Sequence, residues 1–355
     1  MVYRLRPLLL LIVLAAPAPL RADDADQAAR WLRQMEEAFG ALNYDGIFSY
    51  LSGSELATLR VVHMVIDGRQ RERLVHLNGA PREILRDGES VSCIMMPGDD
   101  LLKMAENIPS GPFARGFVRR FDQLSDSYGL YLAGKGRVAN RPAVRLRVAP
   151  RDEDRFGYRL WLDQDTKLLL RSELVDRQGN RLEIFQFTQL AIGDAVDPVA
   201  LEPSTPASES MVSHLTLADH DPDLKPAPRV RYRLNWIPPG FRMAESDVRR
   251  KPSSLTDVAT MMYSDGLAAF SVFIEDMPEA GAASMVSRNG ATVAVMHRMR
   301  LAVAPTARSA AQAEATEHLV TVVGELPTGT AQRIAESVSA NGSTDRTDAT
   351  SVSTQ

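Results

Sequence analysis

The chain has 355 residues, 45% hydrophobic and 24% charged, with 41 Lys and Arg against 45 Asp and Glu, a formal net charge of −4. That length and balance allow two globular domains and argue against a collagenous, disordered or generally nucleic-acid-binding chain. A single cysteine, Cys93, excludes an internal disulfide, so the fold must stand on its cores.

Arg4 and Arg6 precede the apolar run Leu8–Ala16, and small residues lead to Ala22 before Asp23-Asp24, the layout of a secretory signal peptide over residues 1–22. Its removal takes Arg4, Arg6 and Arg21 and leaves 38 cations against 45 acids, a net −7. No later run approaches the roughly 20 apolar residues of a membrane span, so a soluble mature protein is expected. From Asp26 to Leu42, Ala28, Trp31, Leu32, Met35, Ala38 and Phe39 recur at helical spacing and predict an amphipathic helix starting near Asp23–Asp26. Strands are expected at Ile47–Leu51, Thr58–Ile66, Arg71–Leu77, Arg82–Arg86 and Ser90–Met95, with the hairpin dipeptides Asp67-Gly68, Asn78-Gly79 and Asp87-Gly88 between them. Cys93, flanked by Val91 and Ile94, reads as a buried small hydrophobe. Pro109, Gly111, Pro112 and Gly116 mark Asp99–Tyr128 as an irregular connection with one or two short helices, after which Tyr128–Leu132 resumes strands.

Between Arg137 and Leu190 apolar and polar residues alternate, and the breaks at Asn140-Arg141-Pro142, Asp163–Lys167 and Asp176–Asn180 carry turn chemistry. Short turns join antiparallel neighbours, so this is a meander of about four strands. Residues 23–194 thus hold one helix and roughly ten strands, a sheet long enough that it must curl or close. Curled sheets often enclose an apolar ligand. The candidates to line such a cavity, on one or other strand face, are Leu146, Val148, Tyr158, Leu160, Leu162, Ile184, Phe185 and Phe187. Plain core is the commoner role for such residues.

From Ala195 to Arg229, Pro198, Pro203, Pro206, Pro222, Pro226 and Pro228 lie among Ser, Ala and Asp without periodicity, as in a semi-extended linker. A second, smaller α+β domain is expected over residues 230–340. It holds a strand up to Trp236, the turn Ile237–Phe241, a hairpin around Ser264-Asp265-Gly266, strands in TVAVMHRMR and HLVTVVGEL, and a helix over Thr328–Val338 capped by Thr328 or Thr330. Ala302–Glu317 reads as an exposed loop or short helix, and the Ser/Thr-rich tail 341–355 as disordered.

Residues that could carry chemistry are sparse. Gly134-x-Gly136-x-x-Ala139 nominally fits a dinucleotide fingerprint, but a turn and another strand follow where a helix is required. His63, His76, His214, His220, His297 and His318 are scattered, and read as satisfied or surface residues. Asp219-His220-Asp221-Pro222-Asp223 sits in the linker and reads as solvated, with no metal expected. The arginines at Arg145–Arg147, Arg69–Arg73 and Arg249–Arg250-Lys251 suit an acidic partner or lipid headgroups, although solvated strand faces are commoner. No nucleophile–base pair supports an enzyme, and no cofactor is expected.

Several stretches together resemble the MucB/RseB family: ALNYDGIFSY at Ala41–Tyr50, RERLVHLNGAPREILRDG at Arg71–Gly88, the run Arg137–Thr166, LVDRQGNRLEIFQFTQL at Leu174–Leu190, WIPPGF at Trp236–Phe241, YSDGLAAFSVFIE at Tyr263–Glu275 and VTVVGELPTGTAQRIAESV at Val320–Val338. The resemblance implies an N-terminal LolA/LolB-like half-open barrel wrapped on a helix, mostly β, and a C-terminal α+β domain that docks a partner. It implies a periplasmic regulator that holds the periplasmic region of a transmembrane anti-sigma factor of RseA or MucA type. Such a regulator shields that region from regulated proteolysis and is released by lipid or lipopolysaccharide. Trp236, Phe241, Arg249 and Arg250 are the expected docking positions, and homo-oligomerisation stays open. The alternative is a soluble lipid or lipoprotein carrier, which would not need the second domain.

Overall fold

A computed structural model describes residues 22–88, 90–95, 124–204, 211–216, 232–250, 257–276, 284–302 and 315–340. Nearly all of the expected signal peptide, most of the Pro/Gly-rich connection, the Asp219–Asp223 cluster and the 341–355 tail lie outside the described residues.

Helix α1 (Ala22–Ala41) opens the described chain, with Ala28, Leu32, Met35, Ala38 and Phe39 buried along one stripe. Strands β1 (Tyr44–Ser52), β2 (Glu55–Ile66), β3 (Arg69–His76), β4 (Arg82–Asp87) and β5 (Ser90–Met95) follow. After the short helix α2 (Leu124–Ser127) come β6 (Tyr128–Val138), β7 (Arg141–Pro150), β8 (Gly157–Asp163), β9 (Leu169–Val175) and β10 (Arg181–Ile192). With β11 (Met211–Thr216) they form one eleven-stranded antiparallel sheet in the order β11-β5-β4-β3-β2-β1-β10-β9-β8-β7-β6. The two meanders are joined where β1 pairs with β10, so the chain's first strand closes the middle of the sheet while β11 and β6 remain as edges. This is the half-open, helix-wrapped sheet that the resemblance implied.

Short 3₁₀ turns at Gly193–Ala195 and Pro198–Leu201 run back across the outside of the sheet, where Val196, Ala200 and Leu201 cover Val62 and Met64. Arg73 fastens this return: it pairs with Glu83 at 2.9 Å and donates to the Ala200 carbonyl and the Ser204 hydroxyl. The stretch expected as a linker from residue 195 therefore begins as packed structure, and Met211–Thr216 within it is a strand of the large sheet. The pattern was hidden because Pro and Ser break periodicity while β11 draws its order from a partner more than a hundred residues earlier.

The second domain is a six-stranded antiparallel sheet in the order β13 (Arg242–Arg250), β14 (Asp257–Ser264), β15 (Ala269–Asp276), β18 (Ala315–Glu325), β17 (Thr292–Ala302) and β16 (Met285–Asn289). Helix α3 (Thr328–Glu336) packs on β17 and β18, and a two-stranded ladder of β12 (Tyr232–Leu234) and β19 (Val338–Ala340) completes the domain. Three expectations change here. The helix stops at Glu336, and Val338 belongs to β19. Pro327 occupies the N-cap without a side-chain cap, because the Thr330 hydroxyl turns away to Asp154. Ala315–Glu317, expected as loop or helix, is the start of β18 paired with Ala302–Arg300.

Candidate functional site: a filled concave face and an interdomain seam

Alternation along the strands sorts the cavity candidates. Val148 opposes Tyr158 and Leu146 opposes Leu160 in register, so with Leu162 they face the concave side together. Phe185 and Phe187 face the same way from β10, opposite Tyr50 and Phe48. Ile184 points to the convex side, since neighbouring strand residues alternate. The other seven join one cluster with Leu32, Met35 and Phe39, so the concavity is occupied by the chain's own helix. Phe48, Phe185 and Phe187 pack with ring centroids 4.9, 5.1 and 6.0 Å apart, within the range of favourable aromatic pairs.

Beyond the helix the wall turns polar. His63 on β2 opposes Glu72 on β3, and Glu72 opposes Arg86 on β4. His63 stacks on Tyr44 with centroids 4.9 Å apart, and its Nδ1 lies 2.8 Å from the Leu42 carbonyl oxygen. Burial holds the imidazole below its ordinary pKa and pushes the Glu72 carboxyl above its own, with Arg86 partly offsetting the latter. His63 thus fits the expectation of a satisfied histidine, although it has a carboxylate neighbour that sequence spacing did not reveal. Cys93 lies on β5, opposite Ile84 and Ser213.

The two domains meet along a built seam. Arg155, in the loop between β7 and β8, has a side chain 0% exposed, and its Nη1 donates to Asp265 at 2.5 Å in the β14–β15 turn. The same guanidinium donates to Asp152 and to the Pro239 carbonyl, and it lies between the rings of Tyr128 and Phe241 at 5.4 and 5.1 Å. Asp265 also accepts from the Tyr128 hydroxyl at 2.9 Å and from the amides of Leu267 and Ala268. Gly240, with φ +87, brings the Pro238–Gly240 turn so near Ser127 that a Cβ there would stand 2.3 Å from the Ser127 hydroxyl oxygen. Leu267 and Ala291 enter the N-terminal core cluster, and the Tyr158 hydroxyl donates to the Leu267 carbonyl at 3.4 Å.

A second contact lies at the β1–β2 turn. Glu183 accepts from Tyr50 and Ser52 of its own domain and from the amide of Ala291 in the other. Burial pushes its carboxyl above the ordinary range. Gly290, with φ +58, stacks on the β1–β2 turn at Gly53: a Cβ on Gly290 would lie 2.3 Å from the Ser52 hydroxyl and 3.0 Å from the Gly53 amide.

The expected docking positions divide. Phe241 is only 4% exposed and belongs to the C-terminal core. Trp236 is half-buried under the Arg333 guanidinium, 3.8 Å from the ring centroid. Arg249 and Arg250 lie on β13, an edge of the six-stranded sheet, paired in register with Val258 and Asp257. Among the described residues no group of three metal-capable side chains forms, and no helix is long and apolar enough to cross a membrane.

Comparison with known proteins matches residues 27–205 to the MucB/RseB N-terminal domain and residues 226–339 to the MucB/RseB C-terminal domain. The chain is 39% identical over 340 residues to the sigma factor AlgU regulatory protein MucB of Pseudomonas aeruginosa, covering 94% of this chain and 97% of that one. It is 29% identical over 314 residues to the sigma-E factor regulatory protein RseB of Escherichia coli, covering 86% and 89%. Among solved structures, the Pseudomonas aeruginosa MucA/MucB complex superposes with a TM-score of 0.71 at 37% identity, covering 89% of this chain and all of that one. MucB in complex with MucA(peri) gives 0.69 at 36% identity with the same coverage. With both domains matched and the relationship running over nearly the whole length, the chain belongs to the MucB/RseB family.

Proposed function

We propose that this protein is a periplasmic negative regulator of an envelope-stress sigma factor, acting by binding the periplasmic domain of a transmembrane anti-sigma factor and shielding it from regulated proteolysis. The observation that carries the reading is the superposition of both domains on a MucB bound to MucA. Secretion follows from the signal-like N-terminus, with cleavage near Ala22 leaving Asp23 and Asp24 at the start of α1. Acidic groups there complement the positive end of the helix dipole.

The partner docks on the C-terminal domain. Among the described residues β13 pairs on one side alone and carries Arg249 and Arg250, an edge suited to strand addition by an acidic extended segment. Trp236, under Arg333, supplies a separate aromatic surface on the same domain, and Phe241 supports it from the core.

Lipid or lipopolysaccharide releases the partner through the N-terminal domain. The apolar concave face is covered by α1, so an acyl chain enters by replacing the Leu32, Met35 and Phe39 stripe. Displacement of that stripe reaches Tyr158, whose hydroxyl meets the second domain at Leu267. The test is proteolysis of the purified anti-sigma periplasmic domain by its first protease. This protein should slow cleavage, and a lipid A fragment should restore it; unchanged cleavage in its presence refutes the reading. The carrier alternative predicts lipid uptake with no protection.

A further inference from the structure

The convex side of β6–β10 carries an arginine array that neither the partner site nor the concave face uses. Outward residues align across the strands in two rows. In one, Arg145 opposes Trp161 and Trp161 opposes Arg171; in the other, Tyr131 opposes Arg147, Arg147 opposes Arg159, and Arg159 opposes Glu173. The Arg145 and Arg171 guanidiniums lie 6.0 and 5.0 Å from the Trp161 ring centroid, and that of Arg147 lies 4.4 Å from Tyr131. Glu173, its side chain 5% exposed, is shared by Arg159, Arg171 and Arg181. Six arginines against two acids, Glu173 and the Asp163 that Arg141 pairs with, give the face +4, so the rest of a chain of net −4 carries −8. At the rim, Arg177 is neutralised by Glu153.

This arrangement carries a cost that packing does not explain. Arg147 directly opposes Arg159, and like charges in that position destabilise a sheet. Both keep exposure, as does Arg181, whose side chain is 57% exposed. Protein interfaces centre on aromatic and arginine anchors seated in desolvated pockets, whereas here the Trp161 and Tyr131 rings are covered by the Arg145, Arg171 and Arg147 guanidiniums. None of the large exposed hydrophobic side chains of the described residues lies on β6–β10. What the face offers is a broad array of forked donors with interleaved aromatics, which matches phosphodiester headgroups.

We propose that the convex face of β6–β10 docks on the surface of an anionic phospholipid bilayer, through Arg145, Arg147, Arg159, Arg171 and Arg181. The docking is peripheral and electrostatic, since nothing apolar projects to insert. It does not depend on the anti-sigma reading and would hold for a carrier as well.

The test is sedimentation of the mature protein with phosphatidylglycerol/phosphatidylcholine (3:7) vesicles and with pure phosphatidylcholine vesicles. Binding to the anionic vesicles alone is expected, lost between about 0.05 and 0.5 M salt as surface charges are screened. The triple variant R145Q/R147Q/R159Q should lower partitioning by about a hundredfold, at about fivefold per arginine. Circular dichroism checks that it folds, while R233Q/R298Q/R300Q on the other domain should bind as the unsubstituted chain does. No anionic preference, binding that survives 0.5 M salt, or equal loss in the control triple would overturn the proposal. So would a convex-face variant that keeps vesicle binding but loses the anti-sigma domain, which would make the face a protein interface. The salt titration needs no variant and stands even if the triple fails to fold.

Discussion

Replacing Arg155 by Ala removes a buried ion pair that joins the two domains. The Arg155 side chain is 0% exposed and that of Asp265 1%, so the truncation strands a buried carboxylate. Losing one partner of such a pair costs about 3–5 kcal/mol. Tyr128 and the Leu267 and Ala268 amides still donate to Asp265, which places the expected loss near the lower figure, about 3 kcal/mol. D265N, which keeps shape and removes charge, should cost less, and the double variant less than the sum, with a coupling of about 1–3 kcal/mol. Urea unfolding followed by tryptophan fluorescence measures this. Trp31 and Trp161 report the first domain and Trp236 the second, so single-Trp variants separate the domains. The unsubstituted chain should show coincident transitions, and R155A should split them, with the second domain moving to lower urea. A loss under about 1 kcal/mol with transitions still coincident would refute the idea that the latch couples the domains.

Four other outcomes follow from the same geometry. Gly290→Ala should cost about 2 kcal/mol or more by denaturation, because a left-handed alanine also meets Ser52 and Gly53 across the seam. Leu32→Ala should cost about 2–5 kcal/mol and raise hydrogen exchange along α1, since that side chain is 0% exposed within the concave core. For His63 the folded pKa is depressed by burial, so the unfolded chain binds more protons and stability falls as pH drops through the ordinary histidine range. H63Q should therefore flatten the stability profile between about pH 7.5 and 5.5. E72Q should do the reverse: its carboxyl is raised, the folded state binds the extra proton, and its removal should relieve a penalty that grows as pH rises.

Local chemistry made much of the fold legible. Asp67-Gly68 takes positive φ at both residues, 51 and 74, as a two-residue hairpin asks, and the amphipathic stripe of α1 packs where its spacing placed it. The turn near Asn140 was legible only in part: Ala139 and Asn140 hold the positive φ values, 47 and 62, and alanine gives no such signal. Strands β13 and β16 escaped because RMAESDVRR and MVSRN lack alternation; edge position, not amphipathicity, makes them strands. The seam was invisible for a stronger reason. No local pattern in Arg151–Phe156 marks Arg155 for burial, and its partner Asp265 lies 110 residues away. The Pro-rich connection gives no sign of how the domains meet, and hydrogen bonds across the seam define that contact. The cavity candidates followed from alternation and the covering helix from its apolar stripe, whereas the side chains that meet inside the concavity are set by strand register.

Calorimetric titration of the mature protein with the periplasmic domain of the cell's anti-sigma factor, with and without a lipid A fragment, tests the central claim most directly. The account predicts saturable binding that the amphiphile weakens, because two ligands favouring different states must oppose each other reciprocally. Binding that lipid leaves unchanged, or lipid uptake with no anti-sigma binding at all, would contradict it.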